Sequence, residues 1–210
     1  MLLLYAVVLG LLIGLLIGGR PAALATARFR WWGLALFGLL FQVLLFGPPL
    51  ATMVGDLGPA LYVGSTGLVL IALLPNLRQP GFAILGLGAL LNFAAISLNG
   101  GLMPAAPGAF EALNGVARVP AEHFSNSHLI GPTTLLPWLG DIFVLPRPFP
   151  LANVFSLGDA LIGLGGTLFI VRTMRRAVPA GSSEDPHAGA SDGPPQRTGK
   201  PASRPAAQHG

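Results

Sequence analysis

The sequence predicts an all-α membrane protein: a bundle of five transmembrane helices with a long folded extracytoplasmic loop and a disordered C-terminal tail. Of the 210 residues, 52% are hydrophobic and only 10% are charged, whereas a soluble domain usually carries about 25% charged residues. So few charges cannot cover a water-exposed surface. The apolar residues also fall in long blocks, and both observations indicate that lipid is the solvent.

Five apolar blocks approach or reach the ~17–25 residues that a helix needs to cross a bilayer. They are Leu2–Gly18, Trp31–Phe46, Leu57–Leu74, Gly81–Leu98 and Val154–Val171. The third block contains Pro59 and several glycines, which a membrane helix tolerates where neighbouring helices cover its backbone. The first block could be a cleaved signal peptide, but no basic residue precedes it. We therefore expect it to be retained as a helix.

The arginines set the expected orientation. Seven of them flank the blocks on one side: Arg20, Arg28, Arg30, Arg78, Arg172, Arg175 and Arg176. Because basic residues collect in cytoplasmic loops, we expect the C-terminus inside, and the N-terminus and residues 99–153 outside. The net charge of +4 does not predict nucleic-acid binding, because the basic residues form no groove with interleaved aromatics.

Three glycines of the first block, Gly10, Gly14 and Gly18, recur at a spacing of four. Small residues at this spacing let another helix approach closely in a membrane. The sequence leaves open whether that helix belongs to the same chain, to a second copy in a homo-oligomer or to another membrane protein.

The C-terminal segment, residues 177–210, differs in composition from the rest of the chain. It is rich in proline, glycine, alanine and serine and has almost no large apolar side chains. Such a segment cannot bury enough surface to offset the loss of chain entropy. We expect a disordered cytoplasmic tail.

Four polar side chains fall inside the predicted spans: Gln42, Asn92, Ser97 and Asp159. In the expected orientation all four lie in the outer half of the membrane, and no comparable cluster is expected in the inner half. Asp159 lies about 7–8 Å into the last span, at 1.5 Å per residue. An ionisable group at membrane depth marks a buried polar network or a functional site, and both interpretations stay open.

The segment 99–153 is longer than a linker between adjacent spans requires and is rich in large apolar residues. We expect it to fold back over the outer ends of the helices, with a short helix beginning at Pro107. Within it, His123 and His128 with Asp141 or Asp159 offer two imidazoles and a carboxylate to a metal. Their spacing matches no established zinc motif, and no cofactor is predicted.

Several motifs resemble an uncharacterised bacterial family of multi-pass membrane proteins, domain of unknown function 5317. The matching pieces are Asn99–Pro104, Leu139–Asp141, the proline-rich approach at Pro146–Pro150, Phe155–Asp159 and, in layout, Asn76–Pro80. The resemblance covers roughly Met1–Arg176. It implies a location in the bacterial cytoplasmic (inner) membrane and transfers no activity. The candidate binding residues are Asn92, Asn99, Met103, Pro104, Asp141, Ser156 and Asp159.

Three functions are compatible with the sequence. The first is an accessory or binding protein in the lipid bilayer that recognises a lipid, an envelope precursor or a partner protein on its outer face. The second is a small oligomeric transporter coupled to protons through Asp159. The third is a membrane enzyme that uses Asp141, Asp159 and His128 as catalytic residues.

Overall fold

A computed structural model describes residues 2–114, 125–150 and 152–176. His123 and the predicted disordered tail, residues 177–210, lie outside the described residues, so the predictions made for them stay predictions. The described chain is mostly helical. Its α-helices are α1 (Leu2–Leu16), α2 (Trp32–Leu45), α3 (Leu50–Met53), α4 (Gly58–Leu73), α5 (Phe82–Leu98), α6 (Pro107–Asn114) and α7 (Leu157–Met174).

Each of the five apolar blocks contains one long helix, namely α1, α2, α4, α5 or α7. Short 3-10 turns extend α4 at both ends, so that Gly55–Asn76 is continuously helical over 22 residues. This segment and α7 are long and apolar enough to cross a membrane, whereas α1, α2 and α5 are shorter apolar helices.

The last helix begins later than the sequence predicted. Val154 and Phe155 belong to a strand, and α7 starts at Leu157 after an extended residue, Ser156, at its N-cap position. Hydropathy alone does not distinguish an apolar strand from the first turn of an apolar helix. The predicted position of Asp159, about 7–8 Å along the last helix, is therefore wrong, because Asp159 lies in the first turn of α7.

The expectation of an all-α chain is wrong between residues 103 and 155. Here two short strands, β1 (Met103–Ala105) and β2 (Ser127–Leu129), pair in parallel. Two more, β3 (Phe143–Leu145) and β4 (Asn153–Phe155), pair antiparallel. The helix expected at Pro107 is confirmed as α6, since proline suits the first turn of a helix, where its missing N–H is not needed.

Glycines set the packing of α5 against α7. A methyl group on Gly88 would overlap the carbonyl oxygen of Gly158, and one on Gly81 would overlap that of Gly165. From the first pair to the second, the residue number falls by seven on the α5 side and rises by seven on the α7 side. The two helices are therefore antiparallel and touch backbone to backbone, which only residues without a side chain permit.

The glycine face of α1 packs against α7 of the same chain. A Cβ on Gly10 would lie 3.1 Å from the Cβ of Ile170, and Gly14 faces Met174. The residue numbers rise by four in both helices from the first contact to the second, so α1 and α7 are parallel. Gly18 has no atom within 4 Å of a Cβ placed on it and has φ of +77°. It belongs to the turn after α1, where a left-handed backbone favours glycine.

The remaining contacts complete a series in the order α1, α7, α5, α4, α2. Gln42 donates to Thr66 at 3.3 Å between α2 and α4, and the Phe46 ring lies 5.0 Å from that of Tyr62. These two contacts make α2 and α4 antiparallel. A Cβ on Gly67 would lie 3.5 Å from the Phe93 ring and one on Gly101 would meet Pro59, so α5 and the residues after it run antiparallel to α4. The directions of the five long helices therefore alternate in chain order.

Many large apolar side chains point away from the packed core. Val43 and Leu44 of α2 are 69% and 63% exposed, and Leu3 and Leu12 of α1 are 55% and 53% exposed. The packed core lies nearer one end of the helices. Its buried members are Leu45, Tyr62, Ala95, Ile96, Met103 and Leu139.

Charge separates along the bundle. The end that holds the turn after α1, the α4–α5 connection and the end of α7 carries Arg20, Arg28, Arg30, Arg78, Arg172, Arg175 and Arg176. We call it the arginine end. The opposite end, the carboxylate end, carries every acidic residue that the structure describes, together with one arginine: Asp56, Glu111, Asp141, Asp159 and Arg147.

Candidate functional site

The N-terminus of α7 holds a closed hydrogen-bond network at the carboxylate end. The Ser156 hydroxyl accepts a hydrogen bond from the Asp159 backbone N–H at 3.0 Å, and the Asp159 carboxylate accepts one from the Ser156 N–H at 3.2 Å. This reciprocal pair is a capping box, which satisfies two N–H groups that the helix itself cannot pair.

Asn92 of α5 joins this cap to the neighbouring helix. Its side-chain N–H donates to Asp159 Oδ1 at 2.8 Å, and its Oδ1 accepts from the Ser156 hydroxyl at 2.8 Å. Ser156 is fully buried. Both oxygens of the Asp159 carboxylate are thus held by N–H donors of the chain. The network binds α5 to α7 and aims no free group at a substrate.

Pro104 is the centre of the second group of candidate residues. It lies in β1 and is fully buried, with His128 opposite it in β2. Its carbonyl oxygen accepts a 2.7 Å hydrogen bond from the Asp141 N–H, and Ala105 forms a parallel bridge with Asp141. The backbones of His128 and Asp141 therefore lie on opposite sides of β1, about 10 Å apart at the usual strand spacing.

Tyr62 lies near the two carboxylates of the site. This buried residue of α4 interacts electrostatically with both Asp141 and Asp159. The structure therefore brings Asp141 and Asp159 to the same part of the core. Tyr62 is not among the candidate residues predicted from the sequence. Its position in an apolar block, with a polar hydroxyl that needs a partner when buried, is the signal that could have done so.

Asn99 and Met103 attach the segment after α5 to the bundle. The side-chain N–H of Asn99 donates to the Leu135 carbonyl at 2.8 Å, and the Leu135 N–H donates back to Asn99 Oδ1 at 2.8 Å. Met103 is buried in the core beside Tyr62. Both of these candidate binding residues therefore have packing roles.

His128 is the one candidate with an unsatisfied buried atom. Its Nδ1 has no hydrogen-bond partner among the described residues, and burial lowers the pKa of the imidazole below its usual value. Within residues 2–114, 125–150 and 152–176 there is no group of three side chains that could hold a metal ion. His123, its expected companion, lies outside those ranges.

An apolar groove opens between α1 and α7 at the carboxylate end. Its volume is about 390 Å³. It is lined by Leu2, Tyr5, Ala6, Leu9, Phe155, Ala160, Gly163, Leu164 and Thr167. Along α7 its lining residues run from Ala160 to Thr167, about 10 Å at 1.5 Å per residue. At the carboxylate end of the groove, the Tyr5 hydroxyl donates a hydrogen bond to the Pro150 carbonyl.

The arginine end also contains a buried polar group, which lies in the turn after α4 and outside the predicted spans. Asn76 is fully buried and holds the backbone of Arg30 through two hydrogen bonds of 2.8 and 2.9 Å. Its side chain also donates to the Ala72 carbonyl at 2.9 Å, and Gln79 donates to its oxygen at 2.9 Å. Asn76 begins the Asn76–Pro80 motif, which the sequence analysis weighed only for its layout.

Comparison with known proteins gave one match. Residues 26–171 match the family described as "Family of unknown function (DUF5317)", which confirms the resemblance inferred from the motifs. The matched range contains all the quoted motifs and ends within α7, and α1 lies before it. No curated protein and no solved structure matches the chain.

Proposed function

We propose that this chain, which belongs to the DUF5317 family of unknown function, is a five-span protein of the bacterial cytoplasmic membrane that binds a lipid on its outer face. The alternating helix directions and the separation of charge support this topology. Seven of the eight described arginines would lie inside, as the positive-inside rule requires. The folded segment 99–153 would then be extracytoplasmic.

The groove between α1 and α7 carries the proposal. The whole hydrocarbon core is ~30 Å thick, so the groove's length of about 10 Å covers about two thirds of the depth of one leaflet. Its walls are apolar except for Tyr5 and Thr167, and the Thr167 hydroxyl is already bonded to the Ala6 carbonyl at 3.0 Å. These properties favour a single hydrocarbon chain as the occupant, with its headgroup near Tyr5 and the segment 143–155.

The engagement of the polar candidates favours binding over chemistry. Asp159, Asn92, Ser156 and Asn99 are all committed to hydrogen bonds that hold helices or backbone together. A catalytic group needs an unoccupied atom within reach of a substrate. Asp141 and His128, the other candidates for an enzyme, lie on opposite sides of β1.

A groove-filling substitution tests the lipid site. In the Ala160→Phe variant the ring would occupy the groove, and in the matched control Ala60→Phe it would enter a similar groove between α2 and α4. We expect protein purified in mild detergent to retain a lipid enriched over its share of the membrane. Ala160→Phe should lose that lipid and Ala60→Phe should keep it. Bound lipid of bulk composition in all three proteins would contradict the proposal.

Proton-coupled transport is the second candidate, and one observation favours it. Asp141 and Asp159 both lie within electrostatic range of the buried Tyr62, and carboxylates buried among membrane helices mark proton pathways in pumps and transporters. An oligomer would be needed, because five spans form a small pathway. A liposome flux that Asp159→Asn leaves unchanged would exclude this function.

A further inference from the structure

A second cavity lies at the arginine end, between the end of α1 and the end of α7. Its volume is about 370 Å³, within the ~300–1,000 Å³ typical of ligand sites. It is lined by Ile17, Gly18, Arg20, Met174, Arg175 and Arg176. Half of the lining residues are therefore arginines, which come from the segments that directly follow α1 and α7.

Backbone contacts fix the two sides of this cavity. The Arg20 N–H donates to the Met174 carbonyl at 2.8 Å, which fastens the turn after α1 to the last turn of α7. A Cβ on Gly19 would lie only 2.9 Å from the Cβ of Met174, so this approach needs glycine. The backbone of Arg20 is thereby held beside that of Arg175 and Arg176.

The three arginines exceed the negative charge of the described residues around them. The C-termini of α1 and α7 each present a partial charge of about −0.5, about −1 together, against three guanidinium groups. The described carboxylates lie at the opposite end of the bundle, and none of them forms an ion pair with Arg20, Arg175 or Arg176. Counted over the described residues, a net positive charge of about two units therefore remains at a concave site.

We propose that this cavity binds the phosphate group of an anionic membrane lipid. The guanidinium fork matches the geometry of phosphate oxygens, and each charge-assisted hydrogen bond is stronger than a neutral one. The site lies where α1 and α7 end, which in a membrane is the depth of the inner-leaflet headgroups. The inference shares only the membrane setting with the lipid groove at the outer end.

Two triple variants separate a built site from a diffuse basic surface. One replaces the lining arginines, Arg20→Gln, Arg175→Gln and Arg176→Gln. Its matched control replaces three arginines of the same end that do not line the cavity, Arg28→Gln, Arg30→Gln and Arg78→Gln. All six side chains are exposed, so both variants should fold, and their unfolding temperatures check this.

The full chain in neutral detergent is titrated with phosphatidylglycerol, with diacylglycerol as the phosphate-free lipid, and with inorganic phosphate. Native mass spectrometry counts the bound molecules. We expect phosphatidylglycerol to bind, and the lining triple variant to weaken its Kd about tenfold or more, while the control changes it by less than about threefold. A third triple variant carries Arg20→Lys, Arg175→Lys and Arg176→Lys. Its Kd should lie between those of the lining variant and the control, because the charge remains and the guanidinium fork is lost.

Three results would overturn the proposal. Equal weakening in both triple variants would show attraction to surface charge only. Equal binding of diacylglycerol would show that the phosphate is not recognised. Displacement of the lipid by inorganic phosphate at the same concentration would identify free phosphate as the ligand in place of a lipid.

Discussion

The side-chain amide of Asn92 and the carboxylate of Asp159 are joined by a hydrogen bond of 2.8 Å that crosses from α5 to the first turn of α7. The amide oxygen of Asn92 accepts from the buried Ser156 hydroxyl at the same distance. One asparagine therefore satisfies both side chains of the α7 capping box. An ionisable group that looked like a candidate for chemistry is held as part of a helix junction.

Loss of Asn92 should destabilise this junction. Asn92→Ala leaves the Asp159 carboxylate and the Ser156 hydroxyl each without one partner, so we expect the free energy of unfolding to fall by about 1–3 kcal/mol. Unfolding in mixed detergent micelles, followed by circular dichroism, measures it. Ser97→Ala is the control on the same helix, because the Ser97 hydroxyl has no partner among the described residues. Equal effects of the two substitutions would contradict the junction.

The close approach of α5 and α7 predicts opposite effects of one substitution at two glycines. Gly88→Ala places a methyl group against the Gly158 carbonyl, and overpacking of this kind costs about 1–3 kcal/mol. At Gly166 a Cβ meets no atom within 4 Å. There Gly166→Ala should be neutral or stabilise the helix by up to about 1 kcal/mol. The same unfolding measurement checks both variants. An unchanged free energy of unfolding in Gly88→Ala would contradict the close contact between α5 and α7.

Acid should loosen the pairing of β1 with β2. Burial lowers the pKa of His128 from its usual value of about 6.5, so the unfolded chain binds more protons just below pH 6.5. Stability supplied by neutral His128 is therefore present above that pH, falls as the pH drops toward the lower folded pKa, and is constant beneath it.

Hydrogen exchange of the Met103 and Ile130 amides, which bond across this pair of strands, reports the effect after correction for intrinsic rates. Protection should decrease as the pH falls through this range. In the His128→Gln variant the dependence should be absent. Protection that rises on acidification would show that the imidazole prefers its charged form in the folded chain.

Removal of the Asn76 side chain should release the segment before α2. Asn76→Ala takes away both hydrogen bonds to the Arg30 backbone and leaves buried groups unpaired, at a cost of about 2–3 kcal/mol. Trypsin cleavage after Arg28 and Arg30, mapped by mass spectrometry, should become faster. Gln79→Ala removes bonds to Arg28 and Asn76 but leaves that clamp in place, so a smaller change is expected. Unchanged cleavage in Asn76→Ala would argue against the clamp.

The chain has no cysteine, so single cysteines report its topology directly. Gly131→Cys is expected to react with a membrane-impermeant thiol reagent in intact cells. Arg78→Cys and Arg28→Cys should react only after the membrane is permeabilised. Both kinds of position are exposed in the structure, so burial does not confuse the result. Labelling of Arg78→Cys in intact cells would contradict the proposed five-span topology or its orientation.

Hydropathy located four of the five long helices to within one or two residues, because length and apolar content are properties of the chain itself. It misplaced the start of α7, where the apolar residues Val154 and Phe155 pair with β3 instead of entering the helix. The short strands were missed for the same reason. Three-residue strands stabilised by partners far along the chain have no period that a sequence window can detect.

The sequence predicted several residues of the candidate site but did not predict how they are arranged. Asn92, Ser156 and Asp159 were all selected, yet nothing in their positions along the chain foretold that one asparagine would satisfy both others. Tyr62 and Asn76 were overlooked, because a single polar residue in an apolar block is informative only once its partners are known. Asp141 and His128, two of the three candidate catalytic residues, are separated by β1.

By itself the amino-acid sequence determined the apolar blocks, the side on which the arginines collect and the small residues that permit close helix contact. Folding in three dimensions decided which helices meet, that Gly10 and Gly14 face α7 of their own chain, and whether each buried polar group finds a partner. Composition and period are local and can be counted along the chain. A hydrogen bond between Asn92 and Asp159 depends on two helices arriving at one register, and that register is set by the overlap of glycines at their interface.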